Sequence, residues 1–473
     1  MICYKILING ELIDTGDHLS VINPATEKGF ATVARASLSH LDAAVAAARQ
    51  AFQSWRSVLL EERWARLAEM ADLILENREI LARTLTQEQG KCLTESFGEV
   101  DLAEQFCRYC ASVEIPVEII QNDSIQKVEI HRKPLGVVAA IIPWNYPLLV
   151  AVWKLAPALL MGNTVVLKPA PTTPVATLLL GEIISEVFPA GVVNIIADDN
   201  ELGAALSSHP DVAKVSFTGS TATGKQVMAG AASTLKRLTL ELGGNDAAIV
   251  LDDAIPEQIA ASIFEASFEN SGQVCNSIKR LYVHESIYDE MCARLAALAE
   301  AAIIGNGLDA GTQFGPLQNK LQFDKVVTYI EDGRKHGKII AGGYIPDRPG
   351  YFIPPTVVRD ISEGTRLVDE EPFGPVLPVI KYSDVDDAVS RANASSFALS
   401  GSVWSSNTER AWAVALNLDS GTVWVNTHGA VAAHIPFPTN KESGIGVERG
   451  VAGLQELSAM QVVFTHKKTA QVP

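Results

Sequence analysis

The chain has 473 residues, 47% hydrophobic and 20% charged, with 38 Lys and Arg against 55 Asp and Glu, a net charge of −17. At roughly 150 residues per domain this is about three domains or two large ones, long enough to bury a core without disulfide or metal staples. The acidic balance excludes a sequence-independent nucleic-acid binder, which needs a basic face, and the composition excludes a disordered linker.

Along the chain, the first residues hold one Lys, a short apolar stretch and Asn9-Gly10. That is strand-turn-strand chemistry, not a secretory signal. Residues 41–52 and 61–89 place apolar side chains at three-to-four spacing and predict helices. The six cysteines (3, 92, 107, 110, 275 and 292) follow no framework spacing and read as reduced thiols of a cytoplasmic protein. Cys107 and Cys110 fall on one face of a helix with no His cluster beside them, so no metal site is expected.

From Leu135 to Trp153 no residue is charged, nominally the length of a membrane span. Pro143, Asn145 and Pro147 interrupt it. Residues 136–142 therefore read as a strand buried on both faces, 143–147 as a loop and the chain from about 148 as a helix. In a doubly wound sheet such a loop lies at the strands' carboxyl ends, where ligands sit. The run points to a binding site and not to a bilayer. The rhythm continues with strand 164–167, helix 174–188, strand 192–196, helix 204–208 and strand 214–217. A second series follows: strand 247–251, helix 255–268, strand 280–283 and helix 288–303. This predicts an α/β fold with two mostly parallel sheets and a boundary near Gly243-Gly244. Residues 126–132 and 461–465 alternate apolar and polar, as half-exposed antiparallel strands do. They fit either a protruding sheet for subunit contact or an ordinary surface hairpin.

Four places offer chemistry on their own residues. The run Phe217-Thr218-Gly219-Ser220-Thr221-Ala222-Thr223-Gly224 follows a strand and opens a helix. Its glycines allow close backbone approach and the helix N-terminus favours phosphate, although this spacing alone is a weak signal. Lys168, at another strand end, suits either a ribose or phosphate contact or plain solvation. In Gly272-Gln273-Val274-Cys275 a thiol sits in a turn just past a helix, where backbone amides favour a thiolate; a buried inert cysteine is the alternative. Glu241 stands between Leu240 and Leu242, before two glycines. Burial there would raise its pKa and suit it to general-base work; a surface glutamate at a strand end is the alternative.

Together these residues resemble the aldehyde dehydrogenase family. The likeness is carried in order by Pro143-Trp144-Asn145-Tyr146-Pro147, Leu167-Lys168-Pro169-Ala170, Phe217-Thr218-Gly219-Ser220, Glu241-Leu242-Gly243-Gly244, Gly272-Gln273-Val274-Cys275 and Glu370-Glu371-Pro372-Phe373-Gly374-Pro375. Asn23-Pro24-Ala25-Thr26 and Ser443-Gly444-Ile445-Gly446 are weaker echoes. The resemblance spans nearly the whole chain. It implies a Rossmann-type cofactor domain (1–120 and 135–243), an α/β catalytic domain (244–440) and oligomerisation strands (121–134 and 458–473). It further implies a homodimer or homotetramer acting on a small-molecule aldehyde, with no nucleic-acid or membrane partner. Cys275 would attack the aldehyde, Asn145 and the Cys275 backbone N–H would hold the oxyanion, and Glu241 would activate the hydrolytic water. Lys168 and Glu371 would contact the cofactor's two riboses, with Gly219 and Ser220 by the pyrophosphate and Trp144 and Phe373 on the cofactor side. Tyr146, Trp153 and Phe437 would line the aldehyde tunnel, and Glu448 would help relay protons.

Departures from the family pattern bear on specificity. Pro171 stands where the family usually has a ribose-gripping Glu, which leaves NAD and NADP both open. Pro436-Phe437-Pro438-Thr439 replaces the usual Pro-Phe-Gly-Gly. The loop His428-Gly429-Ala430-Val431-Ala432-Ala433-His434 lacks large aromatics, which suggests a roomier tunnel and a bulky or aromatic aldehyde. His428 and His434 read as loop polar residues without a catalytic role. The matched tunnel segments offer no Arg for a substrate carboxylate. A CoA-acylating relative is disfavoured because such relatives tend to lack the glutamate found here as Glu241. A catalytically silent protein on the same fold is disfavoured because Cys275, Asn145 and Glu241 are all present.

Overall fold

The uncharged run 135–153 forms the strand Val137–Ile141, a loop, and the helix Pro147–Leu160 with proline at its first turn. All five strand residues are buried, as a central parallel strand requires. This computed structural model describes residues 2–467; the last part of the predicted 458–473 segment, residues 468–473, lies outside the described residues, as does Met1.

Val137–Ile141 sits mid-sheet. On one side lie Thr164–Lys168 and then Val193–Ile195, and on the other lie Val212–Thr218 and then Arg237–Glu241, all parallel. The chain therefore reverses its direction of travel across the sheet at Val137–Ile141, the topological switch point of a doubly wound fold. Antiparallel edges complete the eight strands: Gly444–Ile445 beyond Arg237–Glu241, and the hairpin Ile6–Ile8 and Glu11–Ile13 at the far side. The hairpin turns through Asn9 and Gly10 with φ of 54° and 81°, the left-handed pair that such tight turns demand.

The second sheet has seven strands, with Asp246–Val250 and Ile278–His284 at its centre. The chain crosses between the sheets at Gly243-Gly244. A third sheet is separate from these two: Gln126–Pro134 pairs antiparallel with both Glu118–Asn122 and Ser458–His466. Two predicted helices differ. Residues 61–89 form two helices, Leu60–Glu76 and Arg78–Gln89, broken at Asn77, whose side-chain amide caps the first by donating to the Leu73 carbonyl (2.9 Å). The helix predicted over 174–188 ends at Ile183, because Pro189 cannot extend it and disfavours helical backbone just before it. Among the described residues no helix is long and apolar enough to cross a membrane.

Candidate active site

Parallel register brings the chemistry to one sheet edge. Ile141 pairs with Phe217 and Lys168, and Thr218 pairs with Glu241. The loop after Ile141, the Thr218–Ser220 turn and the Glu241 carboxyl thus emerge side by side. They wall a cleft of about 1360 Å³ that also holds Cys275, Glu371, Phe373 and Phe437.

The Asn145 loop is held from beneath. Glu99, fully buried, accepts the backbone N–H groups of Leu148 and Leu149 (3.0 and 3.1 Å) at the start of the following helix. Its other oxygen takes the Lys91 ammonium at 2.6 Å, and that ammonium also donates to the Asn145 carbonyl (2.9 Å). The helix dipole and the ion pair together offset the cost of burying these charges. The Asn145 side-chain amide donates to the Gln273 carbonyl (2.9 Å), aiming it across at the cysteine turn.

That turn is strained. Asn270, Ser271 and Gly272 carry φ of 49°, 54° and 72° in succession. Two non-glycine residues in the left-handed region need outside support. It comes from Asn270 Nδ2–H to the Asn145 carbonyl (3.0 Å), Glu95 accepting Asn270 N–H (2.7 Å), and the Ser271 hydroxyl to the Gly315 carbonyl (2.8 Å). The turn presents Cys275 half-buried, and among the described residues its N–H finds no partner. Burial, and then the nearby Glu241 carboxylate, push the Cys275 thiol well above its ordinary pKa.

Glu241 is buried, and its Oε1 has no partner among the described residues. Burial first, and then the charge of Glu448, raise its pKa to about 7, poised for proton transfer near neutrality. Glu448 lies behind it, accepting from Lys154 (2.8 Å) and from the Ser216 hydroxyl (3.3 Å).

The cofactor side fits a dinucleotide. Ser220 caps the helix Thr221–Ala231, its hydroxyl accepting Thr223 N–H (3.2 Å), so the helix N-terminus opens on the cleft. A Cβ at Gly224 would lie 2.5 Å from the Leu242 side chain, so only glycine lets this helix pack so close. The Thr218 hydroxyl is buried without a partner among the described residues, an orphan that a bound polar group would satisfy. Across the cleft Glu371 accepts Gly244 N–H (3.0 Å), and Phe373 meets Trp144 edge to face at 5.4 Å.

Comparison with known proteins places this arrangement. A profile of the Aldehyde dehydrogenase family matches residues 13–463. The chain belongs to the aldehyde dehydrogenase family. It is 42% identical to a mitochondrial aldehyde dehydrogenase of Leishmania tarentolae, over 94% of this chain and 91% of that protein. It is 40% identical to a phenylacetaldehyde dehydrogenase of Pseudomonas fluorescens, over 96% and 94%. Betaine aldehyde dehydrogenase of Staphylococcus aureus, solved with NAD+, superposes with a TM-score of 0.95 at 35% identity, covering 99% of this chain and 96% of that one. The protein is thus an NAD(P)-dependent enzyme that oxidises an aldehyde by cysteine chemistry.

Within this aldehyde dehydrogenase, three features escape sequence reading. Lys168 lies outside the main cleft lining, paired with Asp198 at 2.5 Å, both buried. A carboxylate thus stands against Lys168 although position 171 is proline, and it comes from thirty positions beyond the lysine. His428 bridges the Asn276 carbonyl (2.7 Å, from Nε2–H) and the Ser402 hydroxyl (2.9 Å), and so buttresses the residue after Cys275. Its enclosure pushes its pKa down to about 4, so it is a neutral strut. Arg449 also lines the cleft, where the matched tunnel segments offered no arginine. Its position beside Glu448 was visible, but nothing local shows which way it faces.

Proposed function

We propose that the enzyme converts an aldehyde to the free carboxylic acid through a thioester on Cys275, which water activated by Glu241 hydrolyses. The observation that carries this reading is the convergence on one cleft of the Cys275 thiol, the Asn145 amide and a buried Glu241 carboxyl whose Oε1 has no partner among the described residues. Cys275 gives its proton to solvent water as its sulfur bonds to the carbonyl carbon, which leaves Glu241 ionised for the second half of the reaction. The resulting oxyanion takes hydrogen bonds from the Asn145 amide and the free Cys275 N–H, placed where charge develops. NAD, when bound, supplies the hydride acceptor. Glu241 then takes a proton from water as that water attacks the thioester. Glu448, tied to Lys154, lies next on the outward proton path. Glu371 positions the nicotinamide ribose and the Trp144–Phe373 pair shapes the nicotinamide side. Gly219 and Ser220 receive the pyrophosphate.

The test is product stoichiometry with and without CoA. The reading predicts one free acid per NADH without CoA; a strict CoA requirement contradicts it.

Asp198 against Lys168 places a carboxylate where the adenosine ribose is expected, and a carboxylate there repels a 2′-phosphate. NAD is therefore the preferred cofactor. We expect kcat/KM for NAD to exceed that for NADP by roughly tenfold or more, and Asp198→Asn to narrow the ratio. Equal use of both by the wild type would contradict this placement.

From the 428–434 loop it is His428, Gly429 and Val431 that line the cleft, with no large aromatic among them, which suits a bulky or aromatic aldehyde. The alternate positions Met460, Val462 and Phe464 put an exposed apolar row on one face of the third sheet, which suits a homodimer or homotetramer contact. Free thiols at all six cysteines suit a cytoplasmic setting.

A further inference from the structure

Arg449 is only 8% exposed, yet its Nε–H finds no partner among the described residues. The adjacent Glu448 carboxylate accepts from Lys154 and Ser216 through Oε1, and among the described residues no hydrogen bond or ion pair joins it to Arg449. Buried charges are ordinarily paired, so an unpaired guanidinium in a cleft wall calls for an explanation. The guanidinium carbon lies 4.5 Å from the Trp153 ring centroid and 4.2 Å from that of Phe437, and these rings meet each other edge to face at 6.4 Å, so the pair forms an aromatic corner around it. Aromatic contact steadies a guanidinium without using its N–H donors, which stay available for a fork contact. The Trp153 indole N–H, in the same wall, is likewise buried without a partner. Arg449 also holds φ 64° and ψ 167°, a backbone state L side chains rarely adopt, so the chain keeps a large cation where glycine would sit more easily. Burial lowers its pKa to about 10, so it stays charged at neutral pH.

We infer that Arg449, set against Trp153 and Phe437, recognises an anionic group on the substrate, and that the preferred aldehyde carries a carboxylate away from its carbonyl. The inference rests on the proposed function and names the substrate class of that same site. Three acidic groups line the cleft and argue the other way: Glu241 and Glu371, which serve the reaction and the cofactor side, and Glu269, which accepts the Tyr146 hydroxyl at 2.6 Å. Glu269 is exposed, so water and salt weaken its field. Arg449 is desolvated, and its contacts weigh more.

Steady-state kinetics on the full-length enzyme tests this with two matched pairs: para-carboxybenzaldehyde against para-methylbenzaldehyde, and succinic semialdehyde against pentanal. We expect kcat/KM to favour the carboxylated member by roughly 10- to 100-fold, the range of a charge-assisted hydrogen bond. Arg449→Met should bring that ratio near one, and Arg449→Lys should retain part of it. The ratio is internal to each variant, so a general loss of activity cancels. Where Arg449→Met does not fold, Trp153→Phe, which removes only the indole donor, should still lower the ratio. Equal efficiency within each pair in the wild type, or a preference for an aminoaldehyde, overturns the inference and leaves the proposed function intact. A carboxylate preference that survives Arg449→Met overturns the assignment to this residue. No NADH from any aldehyde overturns the proposed function, and this inference with it.

Discussion

Cys275→Ala is expected to abolish aldehyde-dependent NADH formation, with kcat/KM falling by roughly 10⁴-fold or more, the scale on which nucleophile removal acts. No other thiol can substitute. Cys92, Cys107, Cys110 and Cys292 are buried, and Cys3 lies in the N-terminal strand segment. The turn that presents Cys275 is held by Asn270, Ser271 and Glu95, none of which touches the substituted atom, so the fold and the cofactor side should survive. NADH binding, followed by fluorescence, should match the wild type while turnover is lost. Retained turnover would contradict the assigned nucleophile.

Glu241→Gln separates the two halves of the reaction. A first equivalent of NADH should form and turnover should then stall, with the steady-state rate down roughly 10²- to 10⁴-fold, the span of general-base catalysis. The pH dependence follows from the same residue. Burial raises the folded-state pKa of Glu241 to about 7, so below that pH the base is protonated and idle. Wild-type steady-state turnover should therefore climb through about pH 7 and level off above it, and the variant should lose that limb. The sign for stability is the reverse of the usual carboxylate case. A raised pKa means that ionised Glu241 costs folding free energy above its unfolded pKa. Glutamine removes that cost, so the melting temperature at pH 8 should hold or rise. A variant that loses activity by unfolding would show the opposite.

Some of this was legible in the sequence and some was not. An uncharged run broken by Pro143, Asn145 and Pro147 admits only strand, loop and helix, so the cleft's first wall could be placed from residue chemistry. Cys275 and Glu241 were plausible singly, and their mutual placement came from the order of the family's motifs. What sequence could not show was contact between distant positions. Asp198 reaches Lys168 from a separate loop, and nothing near Pro171 signals the substitution. Asn270 and Ser271 adopt left-handed backbone that their types do not advertise, because Asn145, Glu95 and Gly315 enforce it from three other segments. Arg449 carries no local signal beside Glu448, and only the fold sets it against Trp153 and Phe437. Helix ends were missed for a local reason at Asn77, whose side chain competes with the backbone and breaks one periodic run into two.

The most direct test of the central claim is the intact mass of the Glu241→Gln variant after mixing with an aldehyde and NAD, followed by peptide mapping. A stable mass increase equal to the acyl group, located on Cys275 and reversed by hydroxylamine, is the predicted result. An unmodified Cys275 in a variant that has nonetheless released its equivalent of NADH would contradict the thioester route.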